Sequence, residues 1–255
     1  MKPYVIAFAN QKGGVGKTTS AVNIASVIAE MGKRVIVLDC DPQGNTTSGL
    51  GQNKKKLRES MYDVLTDGIE PEKCVIRTAY NNLWLVPATM ALAGAEIELA
   101  DAERRERRLK EFVEKLDGYD IAIIDCPPSL GMLTVNGLCA ADGVVIPMQC
   151  EYYALEGLTQ LMISIKKVKQ LYNPDLTITG ILITMHNGRL NLSSQVLSEI
   201  KKYYSDKLFS TVIPRNVTLS EAPGYGEPIN YYDKHSKGAK AYYEVAEELL
   251  KRCPV

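Results

Sequence analysis

Lys12-Gly13-Gly14-Val15-Gly16-Lys17-Thr18-Thr19 follows an apolar run at 4–9 and precedes a helical pattern. Strand, small-residue loop and helix are the setting in which a backbone wraps an anion. In such a loop several N–H groups turn inward onto phosphate oxygens. The helix that starts near Thr18 adds the positive end of its dipole beneath them. Lys17 is then placed to reach the β- and γ-phosphates, and the Thr18 hydroxyl to ligate Mg²⁺. A glycine-rich turn that binds nothing leaves the Lys17-Thr18 pair and its setting unexplained. The loop opens on Lys12 rather than on a glycine, so it matches a variant of the ordinary phosphate-binding pattern, one with a second cation.

Two acidic sites complete the constellation. The run at 35–38 leads directly into Asp39-Cys40-Asp41, and the run at 121–124 into Asp125-Cys126-Pro127-Pro128. Doubly wound proteins bind ligands outside the carboxyl ends of their strands, where these carboxylates stand. Asp125 is expected to hold Mg²⁺ directly or through water. Asp39 and Asp41, two residues apart on an extended segment, project to one side. One supports the metal while the other orients the attacking water.

Short aliphatic runs recur at 4–9, 34–38, 83–87, 120–124, 143–147, 178–183 and 209–213. Several lack polar alternation, which suits a parallel sheet covered on both faces. Between them, Leu158, Leu161, Met162, Ile165 and Val168 recur at helical spacing over about five turns, as do Tyr242, Val245, Ala246, Leu249 and Leu250. Gly32, Gly118 and Asn173-Pro174-Asp175 punctuate these elements. The fold is expected to be α/β, a doubly wound, mostly parallel sheet with helices on both faces, in one domain spanning 1–255. The mixed-sign run at 101–110, with four arginines, reads as a solvated helix face.

Thirty basic residues balance thirty acidic ones, so bulk charge gives no argument for a nucleic-acid partner. No apolar run reaches the length of a membrane span, and the N-terminus has no leader pattern. Six cysteines without a C-x-x-C pair, and two histidines, support neither a zinc site nor a metal cluster. Cys40 and Cys126 read as small buried hydrophobes in a reducing cytosol.

The stretches that follow resemble the ParA family of partition ATPases, and especially its chromosomal Soj-type members. They are N-Q-K-G-G-V-G-K-T-T at 10–19, D-C-D-P-Q-G-N at 39–45, A-G-A-E-I-E-L at 93–99 and D-C-P-P-S-L-G at 125–131. Q-C-E-Y-Y-A-L-E-G-L at 149–158 and I-P-R-N-V-T-L-S-E-A-P at 213–223 complete the set. They extend over nearly the whole chain, whereas the wider superfamily shares only the phosphate-binding loop with its extra lysine. The resemblance implies ATP and Mg²⁺ as ligands and hydrolysis that is weak without a partner. It implies a nucleotide-sandwich homodimer in which Lys12 reaches the other protomer's phosphates and Gly13 lies at the interface. Asp41 resembles the water-orienting carboxylate and Asp125 the magnesium residue. Glu151 matches a position near the partner's nucleotide, and Pro214 and Asn216 the loop that lines adenine.

Partners implied by the resemblance are non-specific double-stranded DNA, bound by the ATP dimer, and a centromere-binding ParB-type protein that stimulates hydrolysis. The place of action is cytoplasmic and nucleoid-associated. Arg189 matches one basic contributor to the DNA surface, whereas Thr218 stands where similar proteins often carry arginine. Lys201, Lys202, Lys234 and Lys237 can offset that loss if folding gathers them. The alternative is a MinD-like membrane-associated division-site regulator. It needs an amphipathic anchor, and the segment 247–255 completes a packing helix instead. Iron–sulfur carriers need paired interface cysteines, and tyrosine kinases of this class a terminal tyrosine tail, where the fourteen tyrosines here are dispersed.

Overall fold

Strands that are aliphatic on both sides need a covering layer on each. The computed structural model describes residues 2–188 and 190–254. Its strands are β1 (Tyr4–Phe8), β2 (Val35–Asp39), β3 (Ile76–Arg77), β4 (Leu83–Val86), β5 (Ile121–Asp125), β6 (Gly143–Gln149) and β7 (Thr177–Thr184). They form one sheet in the order β3-β4-β2-β5-β1-β6-β7. Neighbours run parallel except β3, which pairs antiparallel with β4. Chain order reverses direction about β1, and the crevice outside the carboxyl ends there is the place for a ligand.

The helices in the first half are α1 (Lys17–Glu30), α2 (Asn45–Gly49), α3 (Met61–Thr66), α4 (Pro71–Cys74), α5 (Leu92–Glu98) and α6 (Arg108–Val113). The second half adds α7 (Met132–Ala140), α8 (Ala154–Leu171), α9 (Asn191–Tyr204), α10 (Val217–Glu221), α11 (Ile229–Tyr232) and α12 (Lys237–Arg252). Along β1, Val5 and Ala7 face one layer and Ile6 and Phe8 the other. The first layer is built from α3–α9, the second from α1 and α12 with Leu219 of α10 and Ile229 of α11. On α8, Leu158, Leu161, Ile165 and Val168 are buried as the period requires. Burying each is worth about 1.5–3 kcal/mol of transfer free energy.

Two local expectations are corrected, and one strand was not anticipated. The run at 209–213 is not a strand. Phe209 N and Ile213 N donate to Ile181 O and Ile183 O of β7, but the residues between are drawn away. Ser210 N donates to the Glu248 carboxylate and Thr211 Oγ1 to Glu244, both on α12. β3 went unread because two residues carry no period. The charge run at 101–110 is not one solvated helix face. Arg104 adopts φ 53°, Arg105–Arg107 is a 3-10 turn, and Arg105, Arg107 and Arg108 are half-buried.

Candidate nucleotide site

β1 delivers the chain to Asn10, which fixes the start of the loop. Its Nδ2 donates to Pro147 O at 2.8 Å and its Oδ1 accepts from Lys12 N at 3.0 Å. Gly16 adopts φ 82°, a left-handed conformation in which a Cβ is strained, and turns the chain into α1. No side chain caps α1, so the orphan N–H groups of its first turn are left for an anion. Thr184 Oγ1 braces the loop from below by donating to Val15 O at 2.7 Å.

Lys17 is 6% exposed, with Nζ donating to Lys12 O at 3.2 Å. Burial draws its ammonium down from the usual lysine range, and Asp125 foremost among its neighbours draws it back up. A cation already stripped of water gives up little hydration when a phosphate arrives.

Asp125, at the end of β5, is fully buried. Its Oδ2 accepts from Thr18 Oγ1 at 2.7 Å and from Thr46 Oγ1 at 2.8 Å. Its Oδ1 is buried with no hydrogen-bond partner among the described residues, a costly arrangement for a carboxylate. Burial pushes the carboxyl up to about 6, against the pull of Thr18 and Thr46. An orphaned hard oxygen beside a threonine hydroxyl fits Mg²⁺, which takes one or two protein oxygens and fills its octahedron with phosphate and water. Among the described residues no three His, Cys, Asp or Glu side chains form a cage, so a cation here shares its shell with the nucleotide.

Asp39, expected at the metal, is held by the loop that follows β2. Its Oδ2 accepts from Thr47 N at 2.8 Å and Thr47 Oγ1 at 2.6 Å, and its Oδ1 from Asp41 N at 3.2 Å. Both oxygens accept from residues of the segment 41–47, so Asp39 helps to organise that loop. Burial, and the Asp125 carboxylate next to it, push Asp39 up to about 7.

Asp41 is 7% exposed, and its Oδ1 accepts from Gln43 N at 2.9 Å. With Gln43 and Asn45 it lines a cavity of about 340 Å³ whose opposite wall is Gly13, Gly14, Gly16 and Lys17–Thr19. A second cavity of about 100 Å³ shares Gly16, Thr19 and Met185 with the first and is lined by Pro214, Asn216 and Tyr242. Asn216 also caps α10: its Oδ1 accepts from Thr218 N at 2.8 Å and from the Thr218 hydroxyl. Thr218 is thereby engaged in a helix cap.

Lys12 and Glu151 form an ion pair with side chains 44% and 50% exposed. Two further bonds join the loop to the same neighbourhood, Gln149 Nε2 to Gly14 O at 2.7 Å and Gln11 Nε2 to Gly157 O at 3.4 Å. Gly13 has no left-handed φ, and a Cβ there would meet only Pro128 Cβ, at 3.9 Å. Arg189 lies outside the described residues. Lys201, Lys202, Lys234 and Lys237 are exposed, the first two on the last turn of α9 and the others at the approach to α12.

Sequence reasoning missed Thr46, Thr47, Gln149 and Met185. The threonine pair directly follows the quoted 39–45 stretch, and two hydroxyls opening a helix beside strand-end acids were the available signal. Met185 carried none: its φ of 49° and its place between the two cavities come from tertiary packing.

The family described as an AAA domain matches residues 3–178. The sporulation initiation inhibitor protein Soj of Bacillus subtilis is 53% identical over 246 residues, 96% of this chain and 97% of that one. The chromosome partitioning protein ParA of Myxococcus xanthus is 48% identical over 249 residues, 97% of this chain and 88% of that one. A crystal structure titled cobyrinic acid a,c-diamide synthase from Mycobacterium smegmatis, with bound ATP analog and magnesium, superposes with a TM-score of 0.85. It is 42% identical, and the match covers 98% of this chain and 95% of that one. Identity at this level over nearly full length places the chain: it belongs to the ParA/Soj family of chromosome-partitioning ATPases.

Proposed function

We propose that the chain is a nucleotide-timed switch for DNA partition, a Mg²⁺-dependent ATPase whose ATP form pairs with a second copy and holds duplex DNA. A ParB-type partner then speeds hydrolysis and releases it. The observation that carries the reading is Thr18, which lines the cavity walled by the loop and donates its hydroxyl to Asp125, a buried carboxylate whose Oδ1 has no hydrogen-bond partner among the described residues. Bound Mg²⁺ neutralises phosphate charge there. Thr18 and Asp125 are the residues that would hold it, with Asp39 next to Asp125 supporting the site.

Loop N–H groups and Lys17 bind and orient the triphosphate in the 340 Å³ cavity. Pro214 and Asn216 border the smaller cavity, which takes the base. Asp41 orients a water for in-line attack on the γ-phosphorus; the bond to the bridging oxygen breaks, and ADP and phosphate leave. Lys12 from the second copy stabilises the charge that develops, as an arginine finger does. The monomer's own packing does not require glycine at position 13, which supports a constraint imposed by a second copy. Glu151 would meet that copy's nucleotide. The seven-stranded sheet supports reading 1–255 as one domain. The switch works on the nucleoid, in the cytoplasm.

The MinD-like alternative has no observation in its favour. The apolar side of α12 is spent on the core, with Tyr242, Val245, Ala246 and Leu249 buried, and no helix among the described residues is long and apolar enough to cross a membrane. Sedimentation and DNA binding measured with an ATP analogue, ADP and no nucleotide test the proposal. Dimers and DNA binding specific to the ATP state are expected, and their absence overturns it.

A further inference from the structure

Lys54, Lys55, Lys56 and Arg58 put four cations into five residues of a chain with zero net charge. Glu59 is the one acid within four residues of the run. Lys54–Lys56 forms a 3-10 turn held by Asn53, whose Oδ1 accepts from Lys55 N at 3.0 Å. Lys55, Lys56 and Arg58 are exposed, and among the described residues none of them has an ion-pair partner. Crowded, unpaired cations repel one another, and an arriving polyanion relieves that repulsion.

The turn is tied to the nucleotide site. Lys54 Nζ donates to Gln43 O at 2.8 Å. Its stem lies over Gly44, where an added Cβ would come within 2.8 Å of Lys54 Cδ. Gln43 lines the phosphate cavity beside Asp41. Any shift of this loop as the cavity fills therefore carries Lys54, and the rest of the run with it.

Aromatic groups border the other side. Gly226 packs so closely on Gly51 that a Cβ on Gly226 would stand 2.7 Å from Gly51 Cα. Its neighbour Tyr225 is 72% exposed, with its ring 5.2 Å from that of Tyr232. Tyr80 joins the same corner, donating to Gly226 O at 2.6 Å with its ring 4.5 Å from Tyr231. Lys234 and Lys237 follow these tyrosines in the chain. A crowded run of exposed cations fits a phosphodiester backbone, whose phosphates it neutralises without reading sequence, and the exposed rings of Tyr225 and Tyr231 lie on the neighbouring segment.

We propose that Lys55, Lys56 and Arg58 form a phosphate-backbone contact for duplex DNA, gated by the nucleotide through the link from Lys54 to Gln43. The inference rests on the DNA-partition reading and deepens it. It assigns a contact on the α2 side of the nucleotide cavity, separate from Arg189 and from the Lys201–Lys202 turn.

Fluorescence anisotropy of the full chain on two unrelated duplexes tests it, over a salt series with an ATP analogue and Mg²⁺ or with ADP. K55A/K56A/R58A is expected to weaken both duplexes about equally, by roughly tenfold or more. The slope of log affinity against log salt should fall by about 2–3 per protomer engaged. Nucleotide affinity should stay at the wild-type value. Lys54→Met keeps the packed stem but removes the bond to Gln43, and is expected to narrow the ratio of ATP-state to ADP-state affinity. K201A/K202A separates the two readings. If it loses DNA while the triple variant keeps wild-type affinity and slope, the run is merely solvated and the inference is overturned, with partition binding intact. If the wild-type chain binds no duplex in the ATP state, the partition reading itself fails and takes the inference with it. Loss of binding to phosphatidylglycerol vesicles in the triple variant, with DNA binding unchanged, identifies a membrane surface as the occupant and also overturns it.

Discussion

Asp39 and Asp125 stand opposite each other in the register of the parallel pair β2 and β5, both with no exposed surface. Two carboxyls in one dry place cannot both ionise freely. Each is tempered differently, Asp39 by Thr47 and the Asp41 amide, Asp125 by Thr18 and Thr46. The oxygen left over, Oδ1 of Asp125, marks where positive charge is wanted.

That pair makes the nucleotide-free protein sensitive to pH. Asp39 is raised from its unfolded value of 3.8 to about 7. Between roughly pH 4 and 7 the folded state keeps a proton that the unfolded chain has lost. This contribution therefore falls as pH rises through that window and levels off above it. The upper bound is about 4 kcal/mol. Asp39→Asn removes the titration, so the variant should gain stability relative to wild type across the window. Urea unfolding at several pH values checks this, and a flat difference contradicts the raised carboxyl.

Removing the metal-side carboxylate separates binding from chemistry. Asp125→Ala should leave ATP binding without Mg²⁺ nearly unchanged, while the gain in affinity on adding Mg²⁺ and most of the turnover disappear. A loss of about 100-fold in hydrolysis corresponds to about 3 kcal/mol of transition-state stabilisation. Calorimetric titration with and without Mg²⁺ decides it, and an unchanged response to the metal refutes the site.

Lys17 is expected to dominate ground-state affinity. Lys17→Ala deletes a buried cation at the phosphate cavity and should weaken nucleotide binding by about 2–5 kcal/mol, the range for truncating one partner of a desolvated charge pair. Wild-type affinity in direct titration would remove Lys17 from the site.

Lys12 should behave differently, because in the single chain it is half exposed and paired with Glu151. An exposed pair contributes little, about 0–1 kcal/mol, so releasing Lys12 to a second copy costs little. Lys12→Ala should bind ATP as a monomer within about twofold of wild type yet fail to dimerise and to respond to its partner. A normal ATP dimer with normal turnover in sedimentation and phosphate-release assays excludes action across the interface.

Gly13→Val offers a complementary reading. With only Pro128 within 4 Å of an added Cβ, the fold and nucleotide binding should survive while ATP-dependent dimerisation is lost. Thermal unfolding at the wild-type temperature together with a monomeric ATP form is the expected result. A dimeric variant shows that the space at position 13 is not used.

Much of this was legible because it is local. The loop at 12–19 declares itself through residues that only make sense together, and acids at strand ends follow from β2 and β5 being read as aliphatic runs. The hydrogen bonds of Asp39 to Thr47 were not legible, because Thr47 reaches it through a turn that no periodicity reports. The run at 209–213 looked like a strand because aliphatic composition does not reveal that Glu244 and Glu248 on α12 take its middle residues. Met185 shows the same limit in its backbone, which tertiary contacts hold in a conformation its residue type disfavours.

The three bonds that fasten the loop to 149–157 have a mechanical result. Gly157 lies in the first turn of α8, an 18-residue rod about 27 Å long. Tilting such a rod by about 5° at the loop end moves its far end by about 2 Å. A small tilt set at the loop would therefore be magnified, by leverage alone, at the exposed Leu171 end of the helix.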